Sequence, residues 1–176
     1  MNVRAATVLG IVALAAAPIA SAQNWQRIGT NLNGLEEAAP AAISTPATGQ
    51  FDATINQAET AIDYVLTYSN LEANATQAHI HFGRRGTSGG ISVWLCSNLA
   101  SPPTPAGTQP CPLTGGTVSG TITASDVVGP AGQGIDPGQF SELLQAIRNG
   151  AAYVNVHSTK YAPGEIRGQL DAGHSH

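Results

Sequence analysis

Gln77-Ala78-His79-Ile80-His81-Phe82 is the stretch that decides how this chain is read. Small or apolar residues at positions 78, 80 and 82 alternate with Gln77, His79 and His81. A period of two marks an extended strand, because successive side chains leave opposite faces of the pleat. One face is then apolar and core-directed. The other carries two imidazoles, two residues apart and side by side.

The same period runs outward in both directions. Upstream, Phe51, Ala53 and Ile55 alternate with polar neighbours, and Ile62, Tyr64, Leu66 and Tyr68 alternate with Asp63, Val65 and Thr67. An opening strand near Ile28 to Leu32 and an extended loop precede them. Downstream, Ile91 to Cys96 is a short apolar strand and Thr117 to Thr123 alternates. Ala152, Val154 and Val156 alternate with Tyr153, Asn155 and His157; Ile166, Gly168 and Leu170 alternate with Glu165, Arg167 and Gln169. Gly, Pro, Asn and Ser clusters separate the runs. The pattern predicts an all-β fold, a Greek-key-like sandwich or barrel.

One segment departs from it. Asp136-Pro137 reads as an N-cap and a first helical residue, Phe140, Leu143, Leu144 and Ile147 form a stripe at helical spacing, and Gly150 supplies a stop. This predicts one short inserted helix of about three turns, acting as a lid on an open end of the β structure.

Composition narrows the class. Charged residues are 10% of the 176, against roughly 25% in an average soluble protein. Coiled coils, helical bundles and charge-rich disordered chains need more. Seven Lys and Arg against eleven Asp and Glu, with no basic cluster, give no footprint for nucleic acid. Met1-Asn2-Val3-Arg4, an apolar run from Ala5 to Ala17 and the ending Ala20-Ser21-Ala22 read as a secretory signal peptide over residues 1–22. Residues 23–27 are then a short lead, 28–171 the domain and 172–176 a flexible tail. No second apolar run follows, so no membrane span is expected after cleavage. Loss of Arg4 makes the formal charge −5 instead of −4. In an exported chain the only two cysteines, Cys96 and Cys111, predict a disulfide across a Pro-rich loop, where tying off about 15 residues is worth ~3 kcal/mol.

The chemistry rests on histidine. His157 lies in the polar row of its strand, as do His79 and His81 in theirs. If the two strands are neighbours, three imidazoles converge on one patch of the sheet away from the core. A two-apart His pair on a rigid strand is a natural clamp for copper, zinc or nickel, and a third ring completes a site. The competing reading is a set of surface or hydrogen-bonded structural histidines. Arg167 and Glu165 share the polar row of the last strand: Arg167 could steer an anion, and Glu165 could fix an imidazole tautomer or simply pair with Arg167. His174 and His176 form a second His-x-His in the tail. Asn74-Ala75-Thr76 is a glycosylation sequon. No phosphate loop, serine elbow or glycosidase carboxylate pair stands out.

Several of these stretches together resemble a known family. Leu32-Asn33-Gly34-Leu35-Glu36-Glu37, Ala47-Thr48-Gly49, Ala78-His79-Ile80-His81-Phe82-Gly83, Tyr153-Val154-Asn155-Val156-His157-Ser158 and Gly164-Glu165-Ile166-Arg167-Gly168-Gln169-Leu170 resemble, in order and spacing, the CHRD domain named for the repeats of chordin. The chain departs from that pattern at Ala38-Ala39 before Pro40 and in its longer loop between the cysteines. The resemblance implies an exported β-rich domain and says little about chemistry. The His-Ile-His and Val-Asn-Val-His pair is also similar to the copper ligands of Cu/Zn superoxide dismutase, another Greek-key β protein. That likeness implies His79, His81 and His157 as copper ligands and Arg167 as a guide for superoxide, without a bridging imidazole or zinc subsite.

The expected fold is therefore superoxide-dismutase-like or immunoglobulin-like. The expected function is a non-catalytic extracellular or periplasmic module that binds a protein or matrix and holds a metal ion through the three histidines. A copper-binding protein or a copper-only dismutase-like enzyme is the alternative.

Overall fold

The computed structural model describes residue 1 and residues 26–38, 40–101 and 103–170. The expected export segment, most of the short lead and the histidine-bearing tail lie outside the described residues. Eight strands follow in order: β1 (Gln26–Asn33), β2 (Thr48–Ile55), β3 (Ile62–Ser69), β4 (Ala75–Phe82), β5 (Gly90–Ser97), β6 (Gly116–Ile122), β7 (Ala152–Ser158) and β8 (Ile166–Gln169), with one helix, α1 (Phe140–Arg148), between β6 and β7. All neighbours are antiparallel, in the order β5-β4-β7-β8-β1-β2-β3-β6. The sheet curls into a nearly closed barrel, the all-β architecture that the alternation predicts.

The apolar rows fill its interior. Phe51 of β2, Leu66 of β3, Ile80 of β4, Leu95 of β5, Val118 of β6, and Val154 and Val156 of β7 belong to one buried cluster. The two edge strands, β5 and β6, face each other across the seam without a ladder. Tyr64 Oη donates to Leu95 O at 3.1 Å, and Gln109 Nε2 spans the gap by donating to Leu95 O and Ser119 O at 3.2 and 3.1 Å. Gln109 lies on the Pro-rich loop, and the Cys96–Cys111 disulfide ties that loop back to β5.

The helix is present but starts later than Asp136. Asp136 and Pro137 instead enter a turn in which Asp136 N donates to Gln139 Oε1 at 2.9 Å. Gly138 has φ +85°, a left-handed conformation that interrupts any helix running through it, so α1 begins at Phe140 and spans nine residues. Phe140, Leu143, Leu144 and Ile147 are buried in the core cluster. Arg148 bonds Gln26 at the start of β1 and Glu59 in the β2–β3 turn, which seats α1 over that end of the barrel.

Candidate metal centre

β4 and β7 are direct neighbours, with His79 opposite Asn155, His81 opposite Tyr153 and Gln77 opposite His157. Cross-strand partners share a face. His79, His81 and His157 therefore stand together on the outward row while Ala78, Ile80, Val154 and Val156 face the core. One nitrogen from each ring lies within 4.8 Å of the others. The ring centres are 5.2 Å apart for His79 and His81, 5.1 Å for His79 and His157, and 6.1 Å for His81 and His157.

The row is off the core yet not solvent-facing: His79, His81 and His157 are 0%, 8% and 6% exposed. Trp94 of β5 meets His79 edge-on at 4.3 Å. Tyr153 stacks on His81 at 4.7 Å with an interplanar angle of 2°. The β4–β5 loop and the loop after β7 supply the rest of the cover and also orient two rings. His81 Nδ1–H donates to Gly89 O at 2.9 Å and His157 Nδ1–H to Ala162 O at 2.8 Å. Each bond leaves the Nε2 lone pair free. His81 Nε2, His157 Nε2 and both nitrogens of His79 are buried without a protein partner. Burial, followed by the neighbouring His157 and His81, lowers the His79 pKa to about 2. Burial also lowers His81 to about 4, opposed by its bond to the Gly89 carbonyl. It lowers His157 too, against the Ala162 carbonyl. All three rings are thus neutral at pH 7, the form that binds metal.

Arg167 and Glu165 stand elsewhere than a steering and tautomer-fixing pair would. Arg167 is 2% exposed. Its guanidinium covers the Tyr153 ring at 3.4 Å and donates to Thr87 O and Arg84 O at 2.8 and 2.9 Å. A guanidinium committed to two loop carbonyls and an aromatic face is a brace, not a solvent-side lure. Glu165 accepts from Thr45 Oγ1 and Glu72 N at 2.8 and 2.9 Å, while backbone carbonyls fix the imidazoles. Sequence reasoning missed Trp94 and Glu37. Trp94 was findable as the partner of His79 across the β4–β5 hairpin. Glu37 had no signal: it comes from the β1–β2 connection and accepts from Asn155 Nδ2 at 2.5 Å. Burial raises its carboxyl to about 7, against the pull of Arg167 and Asn155.

A family model described as the CHRD domain matches residues 28–170. The chain belongs to the CHRD domain family. No curated protein and no solved structure matches it significantly. Membership agrees with an extracellular binding module, and the disulfide is consistent with secretion. Among the described residues no helix is long and apolar enough to cross a membrane.

Proposed function

We propose that this CHRD domain is an exported, non-catalytic module that holds one transition-metal ion through His79, His81 and His157. One observation carries the reading: one nitrogen from each of three buried rings lies within 4.8 Å of the others, and His81 Nε2, His157 Nε2 and both His79 nitrogens have no protein partner. Buried polar groups are nearly always satisfied, and each exception asks for an explanation. Neutral imidazoles suit copper, zinc and nickel, with copper the first to test. With metal–nitrogen distances of ~2.0–2.1 Å, donors of a three-ligand site sit ~3.5 Å apart. The cluster needs to tighten by about 1 Å along its longest edge, within reach of ring rotation. Dismutase-type turnover is the weaker reading, since the cation that would guide superoxide, Arg167, is buried and engaged. The partner or matrix component that the module contacts is a separate question from the metal.

The test is retention of metal. Equilibrated with Cu(II) in air or with Cu(I) under anaerobic conditions and then dialysed, the protein is expected to keep one copper per chain in at least one of the two, and the His79→Ala, His81→Ala double variant none in either. Equal retention by the double variant, or none by either, overturns the site. Superoxide consumption above that of free copper would restore the enzyme reading.

A further inference from the structure

The surroundings of the three rings select a charge state, an inference that rests on the metal reading above. All three ligands are neutral. Among the described residues no carboxylate or thiolate joins the cluster. A fixed positive charge stands one ring away: Arg167 covers Tyr153 at 3.4 Å, and Tyr153 stacks on His81 at 4.7 Å. The guanidinium, Tyr153 and His81 form one stack, so the charge of Arg167 faces the cluster through a single aromatic ring. Glu37 offsets part of that charge when ionised, and burial pushes its carboxyl up to about 7.

Two physical consequences follow. The desolvation cost of an ion rises with the square of its charge, so a dication entering this site is penalised about four times as heavily as a monocation. It also meets twice the repulsion from Arg167. The second consequence is coordination number. Trp94 lies 4.3 Å from the fully buried His79, and Tyr153 lies flat on His81. With the three histidines at most 8% exposed, these walls leave water or another fourth ligand little access. Zinc takes four ligands, whereas monovalent copper is satisfied by three in a plane.

We propose that His79, His81 and His157 form a three-coordinate, all-imidazole site for monovalent copper, with Trp94 and Tyr153 excluding a fourth ligand and Arg167 discriminating against dications. Divalent copper is the severe competitor, since it heads the ordinary affinity order of divalent ions.

The experiment is an anaerobic titration of the protein with Cu(I) against a chromophoric chelator, matched titrations with Cu(II) and Zn(II), and the potential of the bound copper. One Cu(I) per chain is expected, with Zn(II) at least ~100-fold weaker. A hundredfold gain in Cu(I)-over-Cu(II) preference relative to the aqueous ions raises the potential by about 120 mV, at 59 mV per tenfold. Arg167→Gln is expected to narrow that preference at least tenfold and Arg167→Lys to retain it. Trp94→Ala, which does not disturb the Arg167 brace, is expected to bring Zn(II) within tenfold of Cu(I), so the proposal stays testable if Arg167→Gln fails to fold. If wild-type protein holds Cu(II) as favourably as the aqueous ions predict, or Zn(II) as tightly as Cu(I), the monovalent assignment falls and the histidine site stands. If no ion is retained, both fall. Variants that leave the selectivity unchanged remove Arg167 and Trp94 from the proposal.

Discussion

Both ring nitrogens of His79 are buried without a partner, and an unsatisfied buried polar group costs about 1–3 kcal/mol. His79→Leu, of similar volume, is therefore expected to stabilise the metal-free protein by about 1–2 kcal/mol while abolishing metal retention. A lower melting temperature in chelator would contradict this. The histidines also set the acid limb of stability. Their folded pKa values, about 2 for His79 and about 4 for His81, lie below the ordinary 6.5. The unfolded chain thus takes up protons first, and stability is full above about pH 6.5 and falls on acidification towards pH 4. Glu37 has the opposite sign. Its carboxyl is raised from 4.5 to about 7, so its contribution is full below pH 4.5 and lost as pH rises through 7. Glu37→Gln is expected to gain stability relative to wild type between pH 5 and pH 8.5. Thermal melts showing a pH-independent difference would remove that assignment. None of this was legible beforehand. The alternation placed His79, His81 and His157 on one face, but much of the cover over that face comes from residues 83–89 and 158–164, whose Gly, Ser, Thr and Pro content reads as ordinary solvent loop.

At the scale of elements, the seam between β5 and β6 depends on a side chain held by a covalent tie two residues away. Gln109 bonds Tyr64 Oη, Leu95 O and Ser119 O, and the Cys96–Cys111 bridge keeps its loop in place. Cys96→Ser is expected to cost ~3 kcal/mol and Gln109→Ala about 1–2 kcal/mol. Because one positions the other, the double variant should cost less than the sum, by at least ~0.5 kcal/mol. Strict additivity in denaturant titrations would show that the tie and the bridge act independently. The strands themselves were readable because one face of each is buried and period two survives tertiary packing. The helix start was not: Asp136-Pro137 carries an N-terminal signal, yet Gly138 turns left-handed and spends it on a turn.

For the whole molecule, α1 shares one continuous core with the barrel. Leu143→Ala, at a fully buried position, is expected to cost ~2–5 kcal/mol and to lower a single cooperative transition. Arg148→Ala breaks a pair whose members are 34% and 53% exposed, and surface pairs contribute about 0–1 kcal/mol. A separate early transition in Leu143→Ala would mean that the lid folds apart from the barrel. Family membership was legible from short motifs, because the glycines that help carry it hold tight backbone positions. Gly164 is one: it has φ +144°, and a Cβ there would sit 2.6 Å from Glu37 Oε1.

A barrel that stops one ladder short of closing keeps two rows of backbone donors and acceptors that a sibling molecule can zip onto. Here Gln109 guards those rows from a loop that the disulfide and the Asn98–Cys111 hydrogen bonds hold against β5. Cys96→Ser is therefore expected to self-associate edge to edge more readily than the disulfide-bonded protein, which light scattering across a concentration series would check.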